Sequence, residues 1–378
     1  MKLNQICEVY SGYALKSFND IKDGLPVVKI GNILTDGTLD LEECQYTTDN
    51  VNEKYYSNKG DIYIALSGAT TGKIGIMDTD KKHIINQRVG IVRQKNEDIP
   101  QEYIKYFLLR QTDRILQDAA GCAQPNISPK QIAEYMVPDI TIKKMQEICE
   151  ILDKVKTIID GRKAELVALD NLIKSRFVEM FGDLRVNSKG WEIKTFDELS
   201  SLLTDGEHAT PRRTSDGIYL LSARNISNHS LQLDDVDYID QDEYYRIAKR
   251  VVPQEGDVLI SCSGTVGRCY SVPANLKFQM VRSVALIRFN KEINPVFAEY
   301  MITSDYLQTQ INSYKTASSQ ANLFQGKIKA LKGFVPPIEL QNEFADFVKA
   351  SDKSKSTIQK ALDETQLLFD SLMQKYFG

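Results

Sequence analysis

Short apolar runs bounded by turn residues alternate along this chain with two long segments of heptad-like spacing. Residues 25–30 and 61–66 read as strands, and residues 88–93 keep an apolar middle between charged ends. Residues 100–118 place Tyr103, Phe107, Leu108 and Ile115 on one helical face. The same order then returns: strand-like runs at 218–223, 257–262 and 283–289, followed by a helix over 295–311. Each of these mixed α/β globules leads into one long periodic segment. Over 143–180 the apolar seam is Ile148, Ile151, Val155, Ile158, Leu166, Leu169, Leu172, Ile173, Phe177 and Met180, with Arg162 and Arg176 interrupting it. Over 339–376 it is Phe344, Phe347, Val348, Ile358, Leu362, Leu368, Phe369 and Leu372, weakened midway by Ser351 and Ser354.

The return is a duplication. Gly60-Asp61-Ile62 with Ser67-Gly68 reappears as Gly256-Asp257-Val258 with Ser263-Gly264, at a constant offset of 196 (60 to 256). Asn32-Ile33 recurs as Asn225-Ile226, Gln124-Pro125-Asn126 as Gln320-Ala321-Asn322, and Phe181-Gly182 as Phe377-Gly378. Two long single-stripe helices at equivalent places cannot bury their stripes alone, and each is the other's obvious partner. The predicted fold class is therefore mixed α+β. Two similar α/β domains (1–142 and 184–338) are joined by two long antiparallel helices (143–183 and 339–378) with pseudo-two-fold symmetry. Pro138 and Pro336-Pro337 punctuate the helix starts, residues 186–190 form the linker, and Trp191 opens the second globule.

Bulk properties narrow the function. A hydrophobic share of 42% and a charged share of 26% are ordinary for a globular chain. The apolar runs are too short for a membrane span and the N-terminus lacks the pattern of a signal peptide, so a cytoplasmic location is expected. The six cysteines and three histidines lack zinc-ligand spacing, and the thiols are expected to be buried and idle. A net charge of −4 argues mildly against a free-standing DNA binder, since affinity comes largely from neutralised phosphates. Charge can still be local, and a partner can supply more.

The order globule, helix, globule, helix resembles the specificity subunit of type I restriction–modification systems. The likeness rests on Gly60-Asp61-Ile62 with the 67–73 loop and their copies at 256–258 and 263–268, on Trp191-Glu192-Ile193 opening a globule, on the Gln-x-Asn pairs, and on the Pro-led helices. It implies target-recognition domains that each read one half of a split, asymmetric sequence in double-stranded DNA, with the helices as spacer. It also implies no catalysis by this chain and no cofactor on it. Methyltransferase (modification) subunits using S-adenosylmethionine, and restriction/translocase subunits using ATP and Mg, would dock onto it. Relatives can carry an extra N-terminal segment, which is not expected here, and the first motif begins at Leu3 without a tryptophan.

Base edges are read by Arg, Lys, Asn, Gln, Ser and Thr, and phosphates are held by cations, hydroxyls and backbone N–H groups. On that chemistry the candidate DNA-contacting residues of the first half are Lys16, Ser17, Lys29, Asn32, Ser67, Thr70, Thr71, Lys73, Asn86, Gln87 and Arg88. Those of the second half are Arg212, Arg213, Arg224, Asn225, Ser263, Thr265, Arg268, Arg282 and Ser283. Each set has a plainer reading as turn, cap or solvated loop. The copies differ in sequence, which predicts unlike half-sites.

Two other function classes stand beside this one: a methyltransferase–nuclease acting alone, and a coiled-coil scaffold that never touches DNA. Gly68-x-x-x-Gly72-Lys73-Ile74 is one residue short of a P-loop and lacks its Ser/Thr. Asn294-Pro295-Val296-Phe297 resembles the motif of amino-methyltransferases but has no glycine-rich cofactor loop, and Pro295 suits a first helical turn.

Overall fold

The computed structural model describes residues 1–120, 125–314 and 322–378. Two compact units emerge. One comprises Met1–Lys163 with Lys360–Gly378, the other Ala164–Gln359. Each of the two 40-residue helices, Ile142–Phe181 and Ile338–Phe377, contributes to both units rather than forming a body of its own.

The first unit opens with α1 (Leu3–Ile6) and β1 (Cys7–Ser11), followed by β2 (Leu25–Val28), β3 (Gln45–Thr47), β4 (Ile62–Ala65), β5 (Ile74–Ile76), β6 (Ile84–Ile85) and β7 (Val89–Gln94). Helices α2 (Gln101–Arg110), α3 (Thr112–Ala119), α4 (Pro129–Ala133) and α5 (Ile142–Phe181) come next. An antiparallel sheet has the order β1-β7-β4-β5, and a smaller mixed sheet the order β3-β2-β6. β4 lies between two cores, which explains its unbroken apolar run. Ile62 and Ile64 pack with Tyr103 and Phe107 of α2, while Tyr63 and Ala65 face Val28, Ile85 and Val89. The helix expected over 100–118 is broken at Gln111, whose N–H is shared between Phe107 and Leu108 carbonyls. The break lets α3 turn Ile115 and Ala119 into the core.

The second unit repeats the plan with β8 (Glu192–Thr195), α6 (Phe196–Leu199), β9 (Ser200–Asp205), β10 (Ile218–Leu221), β11 (Ile226–Ser227), β12 (Ser230–Leu231) and β13 (Asp237–Ile239). Then come α7 (Gln241–Ala248), β14 (Val258–Ser261), β15 (Cys269–Ser271), β16 (Phe278–Met280), β17 (Val284–Phe289), α8 (Pro295–Thr303), α9 (Asp305–Tyr314), α10 (Gln325–Lys329), β18 (Lys332–Val335) and α11 (Ile338–Phe377). Its sheets, β9-β17-β14-β15 and β13-β10-β16, match those of the first unit strand for strand. Two further antiparallel pairs accompany them, the hairpin β11-β12 and the long-range pair β18-β8. The predicted helix over 295–311 breaks at Ser304, which is extended, and its hydroxyl donates to the Met301 carbonyl.

The long-helix seam differs from the sequence reading by one position. In the first unit Met145, Ile148, Leu152, Val155 and Ile159 are buried, whereas Ile151 and Ile158 are exposed. A hydrogen bond from Tyr106 Oη to Asp153 Oδ1 (2.5 Å) accompanies this rotation of α5. Met373 and Phe377, outside the predicted seam, are buried there too, while Leu368 is exposed. In the second unit Ile173, Phe177, Met180 and Phe181 pack with Phe344 and Val348. Arg176 pairs with Glu343 (2.9 Å) and Asp170 with Lys355 (2.8 Å), so the partner number falls as the α5 number rises and the helices run antiparallel. In the first unit the interrupting Arg162 is satisfied by the Ala361 carbonyl and Thr365 hydroxyl.

Candidate nucleic-acid interface

In the first unit a loop, a turn and a strand-like segment converge. The loop leaves β4 and reaches β5 through Gly68 and Gly72, both at φ +84°, a left-handed conformation that disfavours side chains. Gly68 N–H donates to the Pro125 carbonyl (3.1 Å), and Ile127 N–H to that of Leu66 (2.9 Å), so residues 125–127 are laid along the loop. The turn between β6 and β7 is closed by Val89 N–H on the Asn86 carbonyl (2.9 Å) and tied to the loop by Leu66 N–H on the Arg88 carbonyl (2.9 Å). Ser67, Gln87, Arg88 and Asn126 thereby line one open cavity of about 720 Å³. Gln87 and Arg88 are exposed, and among the described residues neither Arg88 nor Lys73 has an acidic partner.

The second unit repeats this hydrogen-bond frame. Leu323 N–H donates to Cys262 (2.8 Å), Cys262 N–H to Ser283 (2.8 Å) and Val284 N–H to Val281 (2.9 Å). Gly264 and Gly267 hold φ of +70° and +91°. Matching bonds fix the correspondences: Val281 stands where Asn86 does, Arg282 where Gln87 does, Ser283 where Arg88 does, and Arg268 where Lys73 does. One scaffold therefore displays two different sets of side chains. Arg268 and Arg282 have no acidic partner among the described residues, Thr265 is exposed and Ser263 half-buried. Ser283 Oγ accepts the Ala223 N–H (3.0 Å), which joins the 223–225 segment to the turn.

The other basic candidates of this unit are already paired. Arg212 meets Asp240 (2.7 Å), Arg213 meets Asp237 (2.9 Å), and Arg224 meets Asp237 (3.1 Å) and Asp235 (3.6 Å). Burial alone would push the Asp237 carboxyl up, but the Arg213 hydrogen bond and the two guanidinium charges hold it below the usual carboxylate range.

Several predicted contacts are spent internally. Asn32 is buried: its Oδ1 accepts Lys29 N–H (2.8 Å) and its Nδ2 donates to the Asp40 carbonyl (3.0 Å). Asn225 is buried likewise, accepting from Ser222 N–H (2.9 Å) and donating to the Gln232 and Asp235 carbonyls (2.9 and 3.0 Å). Neither amide has an edge left for a base. The Thr71 hydroxyl donates to the Gly68 carbonyl (2.7 Å) and so braces the loop, while Thr70 Oγ1 is buried with no hydrogen-bond partner among the described residues. Asn86 is buried and its Oδ1 accepts Arg88 N–H (3.2 Å). Lys29 Nζ binds Gln45 Oε1 (2.5 Å) and lies 4.9 Å from the centre of the Phe18 ring. Lys16 and Ser17 are exposed and lie outside the cavity lining; the Lys16 N–H is held by Asp49 (2.8 Å). Gln124, Gln320 and Cys122 lie outside the described residues.

Sequence reasoning missed one functional support, although the repeated Gly-Asp signalled it. Buried Asp61 forms a two-pronged pair with Arg93 of β7 (2.8 and 2.6 Å), and buried Asp257 the same pair with Arg288 of β17 (2.7 and 2.8 Å). Each aspartate also accepts a backbone N–H, from Asn58 and Gln254 (both 2.8 Å). These latches sit at the root of the strand that launches each loop. The P-loop-like glycines lead into strand β5, not into the helix whose N-terminus would bind phosphate. Asn294 caps α8 through Val296 N–H (2.9 Å). The five described cysteines are buried, and desolvation pushes the thiols of Cys7, Cys149 and Cys262 up to about 12, which keeps them neutral. Among the described residues no His, Cys, Asp or Glu cluster suits a metal ion.

A family model described as the type I restriction modification DNA specificity domain matches residues 1–168 and again residues 189–365. The chain belongs to this family. As a type I specificity-domain chain it is 22% identical, over all of its own length and 85% of the relative's, to the type I restriction enzyme EcoBI specificity subunit of Escherichia coli. It is 18% identical to the MjaVIII specificity subunit of Methanocaldococcus jannaschii, over 90% of this chain and 87% of that one. Among solved structures, the S subunit of a type I restriction–modification system from M. genitalium shares the fold. Its TM-score is 0.58 at 16% identity, covering 100% of this chain and 95% of that one.

Proposed function

We propose that this chain is the sequence-reading subunit of a type I restriction–modification complex, binding a bipartite, asymmetric DNA target. One observation carries the reading: the loop-and-turn frame is built twice from the same backbone hydrogen bonds but carries Asn86-Gln87-Arg88 in one unit and Val281-Arg282-Ser283 in the other. A common frame places each unit on one half-site in the same manner, while unlike side chains select unlike bases. The reading regions are 1–142 and 184–338, and the segments 143–183 and 339–378 space them. Ser67, Lys73, Gln87 and Arg88 meet DNA in the first unit. In the second, Ser263, Thr265, Arg268, Arg282 and Ser283 do so, together with the outward edges of Arg212, Arg213 and Arg224. Chemistry lies on the partners, with S-adenosylmethionine on the modification subunits and ATP and Mg on the restriction subunit. Apolar positions left uncovered on the long helices support docking there: Ile151, Ile158 and Leu367 in the first unit, Val167, Leu172 and Val178 in the second. Among the described residues no helix is long and apolar enough to cross a membrane, which is compatible with a cytoplasmic complex.

A gel-shift series on the chain assembled with its modification subunit tests the reading. Affinity for duplex DNA should fall steeply as salt rises, because phosphate contacts release counterions. Absence of binding would favour a scaffold, and methyl transfer or cleavage by the purified chain alone would favour an enzyme.

A further inference from the structure

The second unit carries a network with no counterpart among the described residues of the first. Arg246 bridges Glu207 (3.6 Å) and Glu243 (2.9 Å), and Glu243 accepts the Arg212 N–H (3.0 Å). Arg212 then pairs with Asp240, and Asp237 joins Arg213 to Arg224. The network borders the reading turn on two sides: Arg282 N–H donates to the Glu207 carbonyl (3.0 Å), and Ser283 Oγ holds the residue before Arg224. In the first unit the place of Glu207 is taken by Tyr13, which accepts the Gln87 N–H, and its ring lies 5.2 Å from that of Tyr55.

Carboxylates beside a phosphate-binding surface weaken binding unless their charge is used. Here Asp237 is used twice. Its Oδ2 takes the Nε edge of Arg213 and its Oδ1 takes Nη2 of Arg224. A guanidinium held through Nε keeps its Nη1/Nη2 end free, and that end matches the O6/N7 edge of guanine. Holding the side chain in advance removes rotamer freedom that binding would otherwise have to remove.

We propose that Asp237 is a positioning residue for DNA reading: it presents the end-on fork of Arg213, with Arg224 beside it, to a guanine in the half-site read by the second unit. This rests on the DNA-reading function proposed above. The test is selection from a random-sequence duplex library by the chain assembled with its modification subunit, for the native chain, Asp237→Asn and Arg213→Lys. The native complex should select two half-sites. Both variants should lose about tenfold or more of the preference at one guanine position in one half-site, with the other half-site unchanged. Arg213→Lys keeps the positive charge and stays informative if Asp237→Asn folds poorly. Variants that retain the native motif, or that weaken binding to every sequence equally, would overturn the positioning role while leaving the DNA-reading function intact. A native complex that selects no motif would overturn both.

Discussion

Replacing Asp257 by alanine should loosen the second unit and leave the first standing. The carboxylate is 1% exposed and satisfies three donors, two on Arg288 and the Gln254 N–H. Removing one partner of a buried pair costs about 3–5 kcal/mol. The Arg288 side chain is 29% exposed and can regain water, so the lower end of about 3 kcal/mol applies. For a domain of roughly 200 residues each kcal/mol moves the melting midpoint by about 2–4 °C, giving a fall of about 6–12 °C. Hydrogen exchange resolves where the loss falls: amides of β14 and β17 should lose protection, and those of β4 and β7 should keep theirs. The loop that carries Ser263 and Arg268 hangs from β14, so the half-site read by the second unit should weaken in parallel. A loss below about 1 kcal/mol, far under the range for breaking a buried pair, or equal deprotection of β4, would refute the latch.

Asn225→Ala should destabilise the second unit by about 1–2 kcal/mol, since it takes the side-chain partner from a half-buried N–H and from two carbonyls of exposed residues, yet leave base preference unchanged in a library selection. The carboxyls of Asp237, Asp240 and Glu243 are held below their ordinary range, Asp237 against its burial by Arg213 and Arg224, Asp240 by the Glu243 N–H, and Glu243 by Arg246. Their contribution is present above the unfolded pKa values of about 4 and is lost as pH falls through the lower folded values, so a melting series below about pH 4 should show the second unit weakening as this network protonates. Inserting about one helical turn, roughly 5.4 Å, into both long helices should lengthen the DNA spacer by a base pair or so at about 3.4 Å each, read by mapping the methylated sites; an unchanged spacer would remove the ruler role.

Much of this architecture is legible in the chain because duplication supplies an internal comparison. The strand at 61–66 and its copy at 257–262 share apolar runs, flanking glycines and an aspartate, and they form equivalent strands in equivalent sheets. Helix period is legible too, but helix rotation is not. Ile151 and Leu152 serve a heptad equally well, and the choice between them depends on what the neighbouring helix presents, here Tyr106 to Asp153. The candidate site shows the same limit. Composition marks Asn32, Thr71 and Asn225 as able to read bases, but their donors and acceptors are consumed by carbonyls and N–H groups close by in sequence. Such turn-closing roles are a local alternative that polar residues take up readily. Conversely, Arg93 and Arg288 sit 195 positions apart (93 to 288) in matching strands, a repeat whose meaning appears only when Asp61 and Asp257 are found beneath them.

The claim on which the rest depends is that two copies of one frame, bearing different side chains, read two different half-sites. Methylome sequencing of a host expressing this chain with its modification subunit measures that directly. Two short unlike sequences separated by a fixed run of unspecified bases are the predicted result; a palindromic or single contiguous methylated motif would contradict it.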